Sequence, residues 1–222
     1  MKSSRETAPD LKHKEPQQLA GSTEFDFQPG QARRSVSIGL FLFLALTGCT
    51  IDLVSKSMLF ARLYDPAERW QEPWWLAGQF FGFQTSLNPG ALFGLGHGYS
   101  YVFAGISVVF QSLILFWLLF LGGWRDRWMV VATGLISAGI LGNFYDRIGL
   151  GFAEGYPESA RYCVRDWILF RLEGVPFFDP WPNFNLADSF LVVGAGLVLI
   201  HALFISAKKP EPAGVGSPEV TS

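Results

Sequence analysis

The chain has 222 residues, half of them apolar, 16% aromatic and only 16% charged, a composition that excludes a disordered protein. Seventeen Lys and Arg against 19 Asp and Glu leave a net charge of −2, and no basic stripe interleaves with aromatic residues, so no nucleic-acid partner is expected. Two cysteines, Cys49 and Cys163, cannot build a disulfide framework, and three scattered histidines show no HExxH or CxxC spacing, so neither a metal nor another cofactor is expected.

Residues 1–34 mix Lys, Arg, Glu, Asp, Gln and Pro with few apolar residues, which cannot bury enough surface to offset ordering entropy; they read as a disordered cytoplasmic tail. The membrane domain is expected over residues 35–207, followed by a second disordered cytoplasmic tail, 208–222. Within that domain four apolar stretches each approach the roughly 20 residues that span a hydrocarbon core. The first starts at Ser35 and reaches Phe60, the second is Tyr99–Leu121, the third Trp128–Tyr145 and the fourth Ser189–Ala207. Arg33 and Arg34 precede the first, Arg125 and Arg127 lie between the second and third, and Lys208 and Lys209 follow the fourth. Short basic flanks mark the cytoplasmic side, so both termini are expected inside and the two long connections outside.

Of those outer connections, residues 74–98 alternate aromatic and Gly positions around an Asn-Pro-Gly turn, which suggests short strands. Residues 149–187 are rich in Gly, Pro, Trp and Phe, too irregular for a continuous helix. The fold class is therefore an α-helical membrane protein with four transmembrane helices and a small extracytoplasmic β-containing segment. The third helix ends outside at Gly142-Asn143-Phe144-Tyr145-Asp146-Arg147, and the fourth starts outside at Phe184-Asn185-Leu186-Ala187-Asp188. Asp166 lies in the loop joining them and Asn88 in the other outer segment, so several carboxylates and Asn amides can meet at one depth. Two carboxylates held close share a proton, one acting as base toward water and the other as acid toward a carbonyl. His13 and His201 fall on the cytoplasmic side and His97 in a Gly-rich turn, so no Ser/His/Asp set competes.

The blocks Asn88-Pro89-Gly90-Ala91-Leu92-Phe93, Gly142 to Arg147, Val164-Arg165-Asp166-Trp167 and Phe184 to Asp188, in that order, resemble the signature of the lipoprotein signal peptidases, or signal peptidase II. Asp52-Leu53-Val54-Ser55-Lys56 is similar to that family's first-helix motif, and the resemblance runs from about Ser35 to Ala207. It implies a membrane-embedded aspartic endopeptidase of the bacterial inner membrane that cuts diacylglyceryl-modified prolipoproteins just before the lipidated Cys. The resemblance implies Asp166 and Asp188 as catalytic residues, and Asn88, Asn143, Asp146, Arg147 and Asn185 as residues that shape or support the site. The implied partners are lipidated prolipoproteins and membrane lipid, with the protein acting as a monomer and its active site on the outer face. The connection from Ile148 to Arg165 is longer than is usual in that family, which leaves open whether Asp146 or Asp166 pairs with Asp188. This insertion is expected to work as a mobile cover over the carboxylates.

Plainer readings stand beside these. Asp188 at a helix start is an N-cap candidate, Asp146-Arg147 a surface ion pair, Asp166 a solvated loop charge and Asn88 a turn former. Asp52 and Lys56, four apart on one helix face, read as a supporting pair that lowers the cost of charge near lipid. Leu46-Thr47-Gly48-Cys49 resembles a lipobox, but cleavage there would remove the helix that presents Asp52 and Lys56. A transporter is disfavoured because the central parts of helices two, three and four hold no ionisable group.

Overall fold

A computed structural model describes residues 29–68, 71–90, 99–176 and 178–205. The two tails up to residue 28 and from residue 206, His13, His97, Ala91-Leu92-Phe93, Lys208 and Lys209 lie outside the described residues. The elements in chain order are α1 (Pro29–Leu63), β1 (Trp74–Ala77), β2 (Phe81–Asn88), α2 (Ser100–Phe120), α3 (Arg127–Arg147), β3 (Val164–Phe170) and α4 (Leu186–Ile200), the last prolonged by one π-turn, His201–Ile205. All four α-helices are long and apolar enough to cross a membrane.

Helix α1 starts six residues earlier than the tail boundary at residue 34 allows. Pro29 sits at its first position, where a missing N–H costs nothing, and Gln31 to Arg34 are good helix formers. Arg33 Nη2 donates to the Arg125 carbonyl (3.0 Å) and Arg34 Nη2 to that of Leu119 (3.2 Å), fixing this end against the α2–α3 turn. At about 1.5 Å per residue the helix is roughly 52 Å long, well beyond a hydrocarbon core of about 30 Å. Its far end, at Phe60 and Tyr64, therefore projects to where the sheet can pack on it.

Helix α3 is the centre of the bundle, packed mainly against α4 and α1, with α2 at its side. The reason is its run of small residues: Ala132, Thr133, Gly134, Ser137, Ala138, Gly139 and Gly142 are all buried. Small side chains let backbones approach where lipid offers no hydrophobic drive to association. A Cβ on Gly139 would overlap the Ala187 carbonyl, and one on Gly194 would meet Ile136 and the Ala132 carbonyl. Helix α2, by contrast, buries Ala104 and Leu118 alone and turns long apolar side chains outward. At the end shared by Arg33 and Arg125, Asp126 caps α3 by accepting from the Met129 N–H, and also reaches His201 Nε2 (2.7 Å).

At the opposite end the strands form an antiparallel sheet in the order β1-β2-β3. The β1–β2 hairpin turns through Gly78, whose φ of +54° suits a residue without a Cβ. Strand β3, contributed by the α3–α4 connection, pairs Ser86 with Asp166 and Asn88 with Val164, and the register shifts between Phe83 and Ser86. The connection read as a loop around Asp166 is thus the third strand of the sheet. Phe60, Trp167 and Ile168 form the buried core beneath it, flanked by Tyr64, Phe81, Phe83 and Phe184. The 149–163 segment is packed rather than free: Tyr156 meets Tyr64 edge-on at 4.8 Å between ring centres and Phe60 at 6.0 Å, and Ala160 and Cys163 are buried. These aromatic contacts anchor the segment beside the sheet.

Candidate active site

Helix α4 opens with a capping box. Asn185 Oδ1 accepts the Asp188 N–H (3.0 Å) and Asp188 Oδ2 accepts the Asn185 N–H (3.1 Å), so the cap is Asn185, and Asp188 is the third helical residue. This corrects the N-cap reading of Asp188 and starts the helix at Leu186 rather than Ser189. The box also leaves the Asn185 amide free to point away from its own helix. Asn185 Nδ2 donates to Asp166 Oδ1 (2.6 Å) and to Asn143 Oδ1 (3.1 Å). One residue therefore bridges the two carboxylates, by side chain to Asp166 and by main chain to Asp188.

The remaining carboxylate oxygens are held by the other two amides. Asn88, at the end of β2, donates through Nδ2 to Asp166 Oδ2 (3.0 Å), and Asn143 on α3 donates through Nδ2 to Asp188 Oδ1 (2.8 Å). All four oxygens of Asp166 and Asp188 thus accept an amide N–H. Asn88 is a turn former as well, since its Oδ1 accepts the Gly90 N–H. Asp166 is buried at 2% exposure, not a solvated charge, while Asp188 is half-buried. Burial, with the Asp188 charge adding to it, pushes the Asp166 carboxyl up to about 8, against the opposing pull of Asn88, Lys56 and Asn185.

Beneath this pair lies a buried network of charges. The Lys56 ammonium is 2.7 Å from Asp52 Oδ2 and 3.1 Å from Asp146 Oδ2, and donates to Asn143 Oδ1 at 3.0 Å. Two carboxylates and one amide oxygen surround the ammonium, the compensation a fully buried charge needs. Asp52 Oδ1 accepts the Ala187 N–H (2.9 Å), tying α1 to the first turn of α4. The pairing of Asp52 with Lys56 is the supporting contact expected from their spacing. A Cβ on Gly142 would overlap the Asp52 carboxylate, so the glycine of the Gly142-Asn143 pair makes room for that group.

Asp146 and Arg147 are not an ion pair on the surface. Neighbouring helical residues point apart. Asp146 turns inward, at 1% exposure, to Lys56 and Arg165, whereas Arg147 donates to the Gly90 carbonyl (3.2 Å) and lies over the Phe103 ring (5.2 Å to its centre). Arg147 therefore links α3 to the turn after β2 and to α2. Of the two candidates to accompany Asp188, Asp166 shares the Asn185 bridge with it, and Asp146 is taken up by two cations.

One residue, Arg165, enters this site beyond those singled out from the sequence, and one contact of Lys56 goes beyond its expected pairing with Asp52. Lys56 carries a partial signal in its spacing from Asp52, but nothing local shows that it reaches Asn143. Arg165 has a weaker one: it stands in Val164–Phe170, where every residue up to Leu169 is buried, so its charge had to be paired.

Known proteins of one family resemble this chain. A family model described as signal peptidase (SPase) II matches residues 44–204. The chain is similar to a lipoprotein signal peptidase of Rhodopirellula baltica, 42% identical over 163 residues covering 73% of this chain and 71% of that one. It is also similar to a lipoprotein signal peptidase of Pseudomonas fluorescens, 34% identical over 175 residues covering 77% and 91% of the two chains. Among solved structures, a bacterial membrane enzyme crystallised in meso superposes with a TM-score of 0.61 at 26% identity, over 80% of this chain and 96% of that chain.

Proposed function

This chain belongs to the signal peptidase II family, and from that premise we propose that Asp166 and Asp188 are its acid–base pair. The protein is an aspartic endopeptidase that removes signal peptides from prolipoproteins, cutting before the lipidated Cys. The observation that carries the residue assignment is the Asn185 bridge, which holds two carboxylates from β3 and α4 at one place with every oxygen oriented.

In the resting pair the proton resides on Asp166, the deeply buried member, and Asp188 is the base. Water attacks the carbonyl carbon before the lipidated Cys, giving a proton to Asp188 while Asp166 gives its own to the carbonyl oxygen. The C–N bond then breaks as Asp188 returns a proton to the Cys nitrogen and Asp166 recovers one from a hydroxyl of the intermediate. Both carboxyls end as they began. Asn88, Asn143 and Asn185 keep the oxygens aimed, so little reorganisation accompanies the proton transfers. Asp146 and Arg147 support the site from α3, and no step calls for a metal or organic cofactor.

The site faces the outer side of the membrane, with both termini cytoplasmic. Supporting this, Arg33, Arg34, Arg125 and Arg127 gather at the end opposite the sheet. Lipid is a partner on two grounds. The acyl chains of the substrate supply burial, about 0.8 kcal/mol per CH₂, and Trp74, Leu76 and Phe80 on the β1–β2 hairpin, with Leu172 and Val175 after β3, are exposed apolar residues suited to the bilayer interface. The protein works as a monomer, because one chain supplies Asn88, Asn143, Asp166, Asn185 and Asp188.

The experiment is a gel-mobility assay with the purified protein and a diacylglyceryl-modified prolipoprotein. Wild-type protein shortens the precursor, whereas Asp166→Asn and Asp188→Asn, folded and inserted, leave it uncut. Cleavage by Asp166→Asn together with an inactive Asp146→Asn would put Asp146 in the pair instead.

A further inference from the structure

Strand β3 places Asp166 toward Asn88 and Asn185 and sends the preceding side chain, Arg165, to the opposite face, as the period of a strand requires. On that face Arg165 is held on every side. Its Nε and Nη2 both lie on Asp146 Oδ1, at 2.9 and 2.8 Å, and its own main-chain N–H reaches Asp146 Oδ2 at 3.2 Å. Its Nη1 donates to Ser57 Oγ on α1 (3.3 Å). Side chain and main chain of one residue, adjacent to Asp166, are thus closed onto a single buried carboxylate.

That carboxylate leads to the other half of the pair as well. Asp146 Oδ2 is 3.1 Å from Lys56 Nζ, Lys56 donates to Asn143 Oδ1, and Asn143 donates to Asp188. Asp146 therefore stands between two branches, one through Arg165 to the strand that carries Asp166, the other through Lys56 and Asn143 to Asp188. The 149–163 segment seals the first branch, because Gly151 lies so close that a Cβ there would overlap Asp146 Oδ1 and stand 2.9 Å from Arg165 Nε.

We infer that Arg165 is a positioning residue for Asp166, setting its place relative to Asp188 through the shared Asp146 anchor, and that the 149–163 segment acts on the reaction by holding this fork in register. The inference rests on the reading of Asp166 and Asp188 as the acid–base pair. A guanidinium fork suits this task because its planar geometry fixes direction as well as charge, which an ammonium does not. Displacement of a reacting group by about 1 Å costs on the order of a hundred-fold in rate, so the effect belongs to kcat.

The test uses two variants of the full-length protein, assayed on a lipidated prolipoprotein with kcat and KM measured separately. Arg165→Lys keeps the charge and loses the fork. Gly151→Ala alters no charge and pushes a methyl into the fork from outside. Both are expected to lower kcat roughly ten- to a hundred-fold at unchanged KM, after rates are normalised to folded protein by thermal melting. Should Arg165→Lys fail to fold, Gly151→Ala decides alone. Wild-type kcat per folded molecule in the variants, with Asp166→Asn inactive, overturns the inference and leaves the acid–base pair standing. Activity in Asp166→Asn instead overturns the pair itself.

Discussion

At the scale of single residues the site is governed by one carboxyl whose charged form is disfavoured. Asp166 is pushed up to about 8 because burial penalises its anion and Asp188 is close. Below the ordinary carboxylate range the folded and unfolded chains both bind this proton. Between about pH 4 and pH 8 the folded protein keeps it while the unfolded chain releases it, so this group's contribution to stability falls as pH rises through that window and levels off above. Asp166→Asn has no such proton, so the melting temperature of wild type minus that of the variant should decline across the same window. A difference that stays flat, or rises with pH, would show that Asp166 is not held in its neutral form. At this scale Asp166 and Asp188 were legible in the sequence through their motifs, and Asp52 with Lys56 through spacing. Arg165 was not, because a charge beside another charge reads as solvated until the strand's alternation and burial are known.

Helices and strands show where glycine and asparagine carry structure. The α3–α4 and α1–α3 contacts are close because glycines stand at the crossings, so added volume there must displace backbone. Gly139→Ala, which meets the Ala187 carbonyl, should destabilise the protein by about 1–3 kcal/mol. Gly105→Ala on the exposed face of α2, where a Cβ meets nothing within 4 Å, should stay within about 0.5 kcal/mol. Thermal unfolding in one detergent compares the two directly, and an equal response would mean that α3 is not packed through its small residues. Helix existence was readable from apolar length, but boundaries were not: α1 gains Pro29 to Arg34 because two arginines find carbonyls on another element, and α4 gains three residues through its capping box. Strand β3 escaped the sequence because its seven residues fall within the 149–187 connection, which reads as irregular, and its partner β2 lies far away in the chain.

For the molecule as a whole, a long first helix raises a three-stranded sheet above the bundle, and the carboxylate pair lies where sheet and helix ends meet. On the reading proposed above, the acyl chains of the substrate hold the scissile bond at this site. Precursor lacking the diacylglyceryl group should therefore be cut far more slowly than the modified form, with most of the loss in KM, since the acyl chains supply binding rather than chemistry. Equal kcat/KM on both forms would describe a general membrane protease. The central claim, one proton shared between Asp166 and Asp188, is tested most directly by the single-turnover rate of cleavage of a lipidated prolipoprotein from about pH 5 to pH 10, for wild type beside Asp166→Asn. The account predicts a wild-type rate that falls as pH rises past about 8 and a variant with no cleavage above background at any pH. A variant that cleaves with the wild-type profile would contradict it.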